Sequence, residues 1–158
     1  MDRIAVFPGS FDPVTKGHES IIRRSLTLFD KLIIAVGENT GKQSYFTLDQ
    51  RIGWLHELFE KENKIEIGFY SGLTVDFCRA KDARFILRGL RTSADFEFER
   101  GIGQMNKLMV PDLETVFLLC EPEYASLSSS IVRDILRHGG DAGMFIPDGI
   151  KVSSKVAK

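Results

Sequence analysis

The sequence has few of the residues that build disulfide or metal frameworks. Its 158 residues include two cysteines, Cys78 and Cys120, and three histidines. Both cysteines fall within apolar stretches without the spacing of a zinc site, so we expect reduced thiols in the core of a cytoplasmic protein. His56 and His138 have no neighbouring cysteines or carboxylates in a ligand pattern. No protein-held metal is therefore predicted.

An excess of one charge and long apolar runs are also missing. The net charge is −1 with both signs mixed, which gives no broad electrostatic footprint for nucleic acid. No apolar run approaches the length of a membrane span, and the four apolar residues before Pro8 are too few for a signal peptide. We therefore expect no nucleic-acid partner and no membrane. With 43% apolar residues, the chain suits one domain over residues 1–158.

Two common nucleotide-binding signatures are absent. No Gly-x-Gly-x-x-Gly follows a predicted strand, which excludes the dinucleotide fingerprint. Residues 37–43 look like a P-loop, but the segment is one residue short and ends in Gln rather than Ser or Thr.

What the sequence does contain is a regular alternation of strand-like and helix-like segments. Short runs rich in Ile, Val, Phe and Leu are typical of buried parallel strands. The predicted strands are Ile4–Phe7, Leu32–Val36, Ile65–Tyr70, Phe85–Leu87 and Val116–Cys120. Strands joined by helical crossovers predict an α/β fold with three layers, a dinucleotide-binding-like (Rossmann-type) arrangement with a five-stranded parallel sheet.

Helical spacing fills the segments between these strands. The predicted helices are one near His18, one capped at Thr47, a short one with Val75, Phe77 and Cys78, one over residues 93–109 and one capped at Ser128 that ends at Gly139-Gly140. The tail after Pro147 is weakly patterned, and we expect a loose terminal helix there.

The most informative segment is residues 9–18, which read Gly-Ser-Phe-Asp-Pro-Val-Thr-Lys-Gly-His directly after the first strand. Free N–H groups of such a turn and of the following helix start can bind phosphate oxygens. His18 would lie in the first helical turn, where a transferring phosphorus would sit. Glycine turns and lone histidines are individually common, but this spacing between strand and helix resembles the signature of nucleotidyltransferases.

Further cationic and N–H-rich segments follow the other strands. Lys42 lies after the second strand, Arg88-Gly89-Leu90-Arg91 ends the fourth, and Ser128-Ser129-Ser130 opens the last clear helix. Taken singly, these would be a surface lysine, a solvated arginine pair and a helix cap. Because the carboxyl ends of parallel strands share one edge, we expect them to converge there on a polyphosphate.

Together these motifs resemble phosphopantetheine adenylyltransferase over residues 3–146. The Arg-Gly-Leu-Arg of residues 88–91, followed by Ala-Asp-Phe-Glu at 94–97, is the narrowest part of the resemblance. Position 10 is Ser where some members have Thr, which keeps the hydroxyl. Tyr124-Ala125-Ser126-Leu127 replaces a Trp-containing stretch of some relatives, so adenine contacts there are less defined.

The resemblance implies transfer of the adenylyl group of ATP to 4′-phosphopantetheine, giving 3′-dephospho-CoA and pyrophosphate. It also implies Mg²⁺ bound mainly to the phosphates and assembly as a homohexamer. His18 would be the catalytic residue. The acceptor would be held by Ser10, Lys42, Thr74 and Arg88. ATP would be held by Ser10, Phe11, His18, Gly89, Leu90, Arg91, Glu99 and the turn Tyr124, Ala125, Ser126, Leu127, Ser128, Ser129 and Ser130.

Two other interpretations stay open on the sequence. One is a sister transferase with another phosphorylated acceptor, such as a nicotinate mononucleotide adenylyltransferase or a glycerophosphate cytidylyltransferase. The other is a non-catalytic nucleotide sensor on the same scaffold. Arg88–Arg91 with Asp95-Phe96-Glu97 argues against the first, and His18 together with Lys42 argues against the second.

Overall fold

The computed structural model describes residues 1–39 and 41–155. Five strands and five α-helices alternate along the chain. The strands are β1 (Ile4–Gly9), β2 (Lys31–Gly37), β3 (Ile65–Tyr70), β4 (Phe85–Leu90) and β5 (Glu114–Leu119). The helices are α1 (Lys16–Ser25), α2 (Leu48–Phe59), α3 (Thr74–Ala80), α4 (Ser93–Met109) and α5 (Ser129–Arg137). Short 3₁₀ turns cover Pro122–Tyr124 and Gly143–Phe145.

The sheet has the order β3-β2-β1-β4-β5, and every pair of neighbours is parallel. The chain builds outward from β1 to β3 and then returns to add β4 on the other side of β1. A crevice forms beyond the carboxyl ends of strands where the order reverses in this way. The α/β fold class is confirmed, and the crevice between β1 and β4 is where a ligand site is expected.

The central strands are buried on both sides of the sheet. Ala5, Val6, Ile34 and Ala35 have no exposed surface. Alternate side chains of these strands enter separate apolar clusters, one containing Ala5 and Ile34 and the other Val6 and Ile33. Helices on both faces therefore cover the sheet, which gives the three layers predicted from the continuous apolar runs.

Local capping fixes where three helices start. Thr15 caps α1, and both halves of its capping box with His18 are formed. Thr47 does the same for α2 through Gln50, and the Ser128 hydroxyl accepts the N–H of Ile131 at the start of α5.

Strand β3 has its predicted bounds, whereas the other four strands begin before or end after their predicted apolar runs. β4 continues through Leu90, and β5 begins at Glu114, because Glu114 pairs with Phe85 and Leu119 pairs with Leu90 in one register. β5 is an edge strand, which tolerates a polar start such as Glu114 that a pattern of apolar residues misses, and it ends at Leu119, one residue before the predicted end at Cys120.

The prediction of a helix after Pro147 is wrong for the described part of the tail. From Asp148 to Lys155 the structure describes no helix, and Gly149 has a φ of +96°, outside the helical region. Ile150 and Val152 pack against the core, so alternate apolar residues hold this segment as an irregular strap. Residues 156–158 lie outside the described residues.

Among the described helices, none is long and apolar enough to cross a membrane.

Candidate functional site

Two cavities open beyond the carboxyl ends of the strands. The His18 cavity, about 440 Å³, lies between α1, β4 and the start of α5. The Thr74 cavity, about 570 Å³, lies between the ends of β2 and β3 and helix α4. They share a wall made by Pro8, Gly9, Ser10, Arg88 and Glu99. Two ligands could therefore meet across this wall.

His18 is held in one orientation by the first turn of α1. Its Nδ1 accepts the backbone N–H of Thr15 at 3.0 Å, and its ring is tilted against that of Phe11 with 4.9 Å between centroids. An accepting Nδ1 leaves Nε2 as the protonated nitrogen of the neutral ring. Burial, then the charges of Arg88 and Arg91, lowers the pKa of His18 to about 4. At neutral pH His18 is an uncharged donor in this cavity.

Arg88 is fixed in the shared wall. Its Nε and Nη2 donate to the two carboxylate oxygens of Glu99 at 3.0 and 2.6 Å, and its Nη1 donates to the carbonyl of Pro8 at 2.5 Å. Glu99 was predicted to bind ATP. It lines both cavities, but both of its oxygens accept from Arg88, so its direct effect is to orient that guanidinium.

Arg91 lines the His18 cavity and is held in a similar way. Its Nε donates to Asp95 Oδ2 at 3.1 Å, and its Nη1 donates to the carbonyl of Leu127 at 3.1 Å. Burial opposes ionisation of Asp95, yet the Arg91 N–H and guanidinium lower the pKa of its carboxyl group. Asp95 was missed as a cavity residue, although its four-residue spacing from Arg91 in the sequence was a usable signal.

The start of α5 forms the opposite side of the His18 cavity. Ser128, Ser129 and Ser130 all line it, as predicted. The Ser129 hydroxyl donates to the carbonyl of Pro13 at 2.8 Å and so ties α5 to the loop after β1. Arg133, one turn further, also lines the cavity and donates to the carbonyl of Asp12 at 2.8 Å. Arg133 was not predicted from the sequence. Its position one helical turn after Ser129 and Ser130 puts it on the same face of α5, which was a usable signal.

The Thr74 cavity has a different lining. Thr74 Oγ1 lies 2.8 Å from the hydroxyl of Tyr70, and Phe98 and Ile102 of α4 add apolar surface. Only Thr74 was predicted specifically for this cavity. Tyr70, Phe98 and Ile102 belong to ordinary strand and helix patterns, so no local signal marked them.

Gly89 was predicted to bind ATP. It does line the His18 cavity, but a Cβ there would lie 3.2 Å from Cγ1 of Ile21. The glycine is therefore also needed for α1 to pack on β4.

Some predicted residues do not line either cavity. Lys42 is exposed in the loop after β2, and Leu90 is 8% exposed at the end of β4. Tyr124, Ala125 and Ser126 lie in and just after the 3₁₀ turn, while Leu127 reaches the His18 cavity. Glu38 and Asn39, just before Lys42, line the Thr74 cavity, and Thr40 lies outside the described residues. The roles given to these residues stay predictions.

The fold and the site define the class of the protein. The profile of the cytidylyltransferase-like family matches residues 6–135. The solved structure of a bifunctional NMN adenylyltransferase/ADP ribose pyrophosphatase from Francisella tularensis has a TM-score of 0.71 at 17% identity, over 92% of this chain and 45% of that chain. A putative nicotinate-nucleotide adenylyltransferase from Vibrio parahaemolyticus has a TM-score of 0.66 at 16% identity, over 92% of this chain and 87% of that one. These likenesses establish the Rossmann-like nucleotidyltransferase fold.

Sequence relatives narrow the class to a family. The chain is 50% identical to the phosphopantetheine adenylyltransferase of Cytophaga hutchinsonii, over 93% of this chain and 98% of that protein. It is 49% identical to the protein of the same name from Flavobacterium johnsoniae, over 95% and 98% of the two chains. This chain belongs to the phosphopantetheine adenylyltransferase family.

Proposed function

We propose that this protein transfers the adenylyl group of ATP to 4′-phosphopantetheine, giving 3′-dephospho-CoA and pyrophosphate. The observation that carries the proposal is the wall shared by the two cavities, with Ser10 and Arg88 in it and His18 beside it. A reaction between two phosphorylated substrates needs such a cationic meeting point. The family membership supports this acceptor over those of the sister transferases and over a non-catalytic sensor.

In the proposed reaction, a phosphate oxygen of 4′-phosphopantetheine attacks the α-phosphorus of ATP. The bond from the α-phosphorus to the oxygen bridging the α- and β-phosphates breaks, and pyrophosphate leaves with that electron pair. The attacking oxygen is already anionic, so no general base is required. Catalysis reduces to positioning and to stabilising charge on the transferring phosphoryl oxygens.

His18 supplies a donor for that charge. Because its pKa is about 4, the ring is neutral at pH 7, and because Nδ1 accepts from Thr15, the Nε2–H is the group that donates to an α-phosphate oxygen. Arg88 is held by Glu99 in the shared wall, where it can contact the acceptor phosphate. Arg91 and the start of α5 bind the ATP phosphates in the His18 cavity, since guanidinium groups and helix N-termini both favour phosphate.

The acceptor's pantetheine arm is assigned to the Thr74 cavity. Its mixed lining suits a chain with amide groups and methylenes, and Thr74 and Tyr70 offer hydroxyls. Lys42, in the neighbouring loop, is assigned to the acceptor phosphate as a point charge.

Mg²⁺ is proposed to arrive bound to the phosphates of ATP. Asp95 and Glu99, the carboxylates of the His18 cavity, each accept hydrogen bonds from an arginine. Within residues 1–39 and 41–155, no group of three or more His, Cys, Asp and Glu side chains is arranged to hold a metal ion. That donor set fits Mg²⁺ ligated by phosphate and water, which would neutralise charge on the leaving pyrophosphate.

We also propose a single domain, a cytoplasmic location and a homohexamer. The assembly is supported by large apolar side chains that α4 leaves exposed, including Phe98, Met105 and Leu108. Exposed apolar side chains grouped on one helix are typical of protein–protein interfaces. Sedimentation velocity at several concentrations would measure the oligomer directly.

The proposed activity is tested by coupled detection of pyrophosphate from ATP. 4′-Phosphopantetheine should support release, whereas pantetheine, nicotinate mononucleotide and glycerol 3-phosphate (each with ATP, and the last also with CTP) should give background rates. Mass spectrometry should identify the product as 3′-dephospho-CoA. Turnover with another acceptor at a higher rate would assign the chain to a sister activity, and binding of ATP without any turnover would indicate a sensor.

A further inference from the structure

Arg51, a residue of α2 outside both cavities, is buried behind the turn of residues 9–11. It is 2% exposed, and it forms no ion pair with any carboxylate in the part of the chain that the structure describes. Its Nη1 donates to the carbonyl of Ser10 at 2.8 Å and to that of Gly37 at 3.4 Å. A buried cation bonded only to carbonyls is costly unless it serves a purpose at that place.

The two carbonyls belong to the segments that end β1 and β2. Arg51 thus joins the Gly9–Phe11 turn to the loop that leads to Lys42. In a trans peptide the C=O and the following N–H point in opposite directions. Because the Ser10 carbonyl points at Arg51, the N–H of Phe11 points away from Arg51.

The backbone N–H of Phe11 has no acceptor within residues 1–39 and 41–155, neither a backbone nor a side-chain group, although Phe11 is only 1% exposed. Phe11 lines the His18 cavity, and its φ of +46° is a conformation that residues other than glycine rarely adopt. Such a conformation persists only when the surroundings hold it.

We propose that Arg51 is a positioning residue of the reaction. It orients the Ser10–Phe11 peptide so that the Phe11 N–H donates to the α-phosphate of the adenylyl group that is transferred. The inference rests on the proposed function for the identity of the reacting phosphate. Arg51 touches neither substrate. It acts by fixing the peptide, and its charge opposes rotation of the Ser10 carbonyl toward the anion.

The kinetic test compares Arg51→Met and Arg51→Lys with the wild type, varying ATP and 4′-phosphopantetheine in turn while the other substrate is saturating. Loss of an oriented donor should lower kcat of Arg51→Met about 10- to 100-fold while both KM values stay within about threefold. Arg51→Lys keeps a donor at the carbonyls and should recover most of the rate. Lys64→Met is the matched control. Lys64 Nζ also joins two carbonyls, those of Leu26 and Phe29, but it lies at the amino ends of β2 and β3, away from both cavities.

A second readout does not depend on the acceptor. In a ¹⁵N–¹H spectrum, a nonhydrolysable ATP analogue should move the Phe11 amide proton downfield in the wild type and in Arg51→Lys. Should Arg51→Met fail to fold, Arg51→Gln serves in its place, and the shift should shrink in whichever variant lacks the cation. Wild-type inactivity with 4′-phosphopantetheine together with a normal shift would overturn the proposed function alone. An unmoved amide in the wild type, or a folded Arg51→Met or Arg51→Gln with normal kcat, would overturn the role of Arg51.

Discussion

The two cavities differ in how firmly their polar groups are held. In the His18 cavity, His18, Arg88, Arg91 and Arg133 are each bonded to a backbone group or a carboxylate. Outside the shared wall, the polar lining of the Thr74 cavity is the Tyr70–Thr74 hydroxyl pair and the side chains of Glu38, Asn39, Ser71, Asn106 and Thr115, beside apolar surface from α4. Among the described residues, the side chains of Glu38 and Asn106 have no hydrogen-bond partner in the protein, and the associated Lys42 forms no ion pair.

This difference suits two functions: the His18 cavity stabilises the transition state, and the Thr74 cavity binds and selects the acceptor. Groups that must stabilise a short-lived charge gain most from being fixed before the substrate arrives, because no reorganisation is then needed. Groups that hold an extended acceptor need complementary shape and charge but less rigidity. Changes in the His18 cavity should therefore act on kcat, and changes on the acceptor side should act on KM.

The largest effect is expected for His18→Ala. Removing one preoriented donor should lower kcat about 10²- to 10³-fold while the Kd for ATP changes by about threefold or less. Rapid-quench turnover and calorimetry measure the two quantities. His56→Ala, which removes an exposed histidine of α2, is the control. A weaker Kd for ATP with kcat unchanged would instead show that His18 only binds the ground state.

The next effect concerns the shared wall, where Glu99→Gln frees Arg88 from its bidentate carboxylate. Loss of a charge-assisted pair of this kind should lower kcat/KM for the acceptor roughly 10- to 50-fold, with a smaller effect on ATP. Steady-state kinetics with each substrate varied checks this. Glu97→Gln removes a carboxylate of α4 that pairs with Arg100, and it should leave the kinetics unchanged. A loss confined to ATP would place Glu99 on the nucleotide, as the family resemblance implied.

A smaller effect is expected for Lys42→Ala on the acceptor side. An exposed point charge contributes modestly, so the Kd of 4′-phosphopantetheine should rise about 3- to 10-fold. The Kd of pantetheine, which lacks the phosphate, should not change. Calorimetric titration of both compounds tests the assignment, with Lys61→Ala as a control for general surface charge. Weakened binding of ATP would instead assign Lys42 to the nucleotide.

The smallest effect is on stability. The pKa of His18 is about 4 in the folded protein and about 6.5 in an unfolded chain, so the unfolded state binds more protons between these values. The free energy of unfolding should therefore fall as the pH drops from about 6.5 to about 4, and His18→Gln should lose less over this window. Urea titrations at pH 7 and 5 measure the slopes, with His56→Gln as the control. Parallel curves for the wild type and His18→Gln would mean that His18 is not held neutral.

The sequence predicted the parts of this site that depend on local pattern. The order of strands and helices, the glycine turn before His18 and the serines at the start of α5 all follow from apolar runs and caps. Arg51 could not be predicted, because its role depends on α2 packing against two loops 14 and 41 residues away in sequence. The strap of Ile150 and Val152 was mistaken for a helix for a related reason, since contact with the core decided its conformation.

The central claim is direct transfer between two substrates that meet at the shared wall, with His18 as a donor and not as a nucleophile. The most direct measurement is the stereochemical course at the α-phosphorus. One diastereomer of adenosine 5′-O-(1-thiotriphosphate) would be converted with 4′-phosphopantetheine, and the configuration of the product read by ³¹P spectroscopy. A single in-line displacement predicts inversion. Retention would require an adenylylated protein intermediate and would contradict the account.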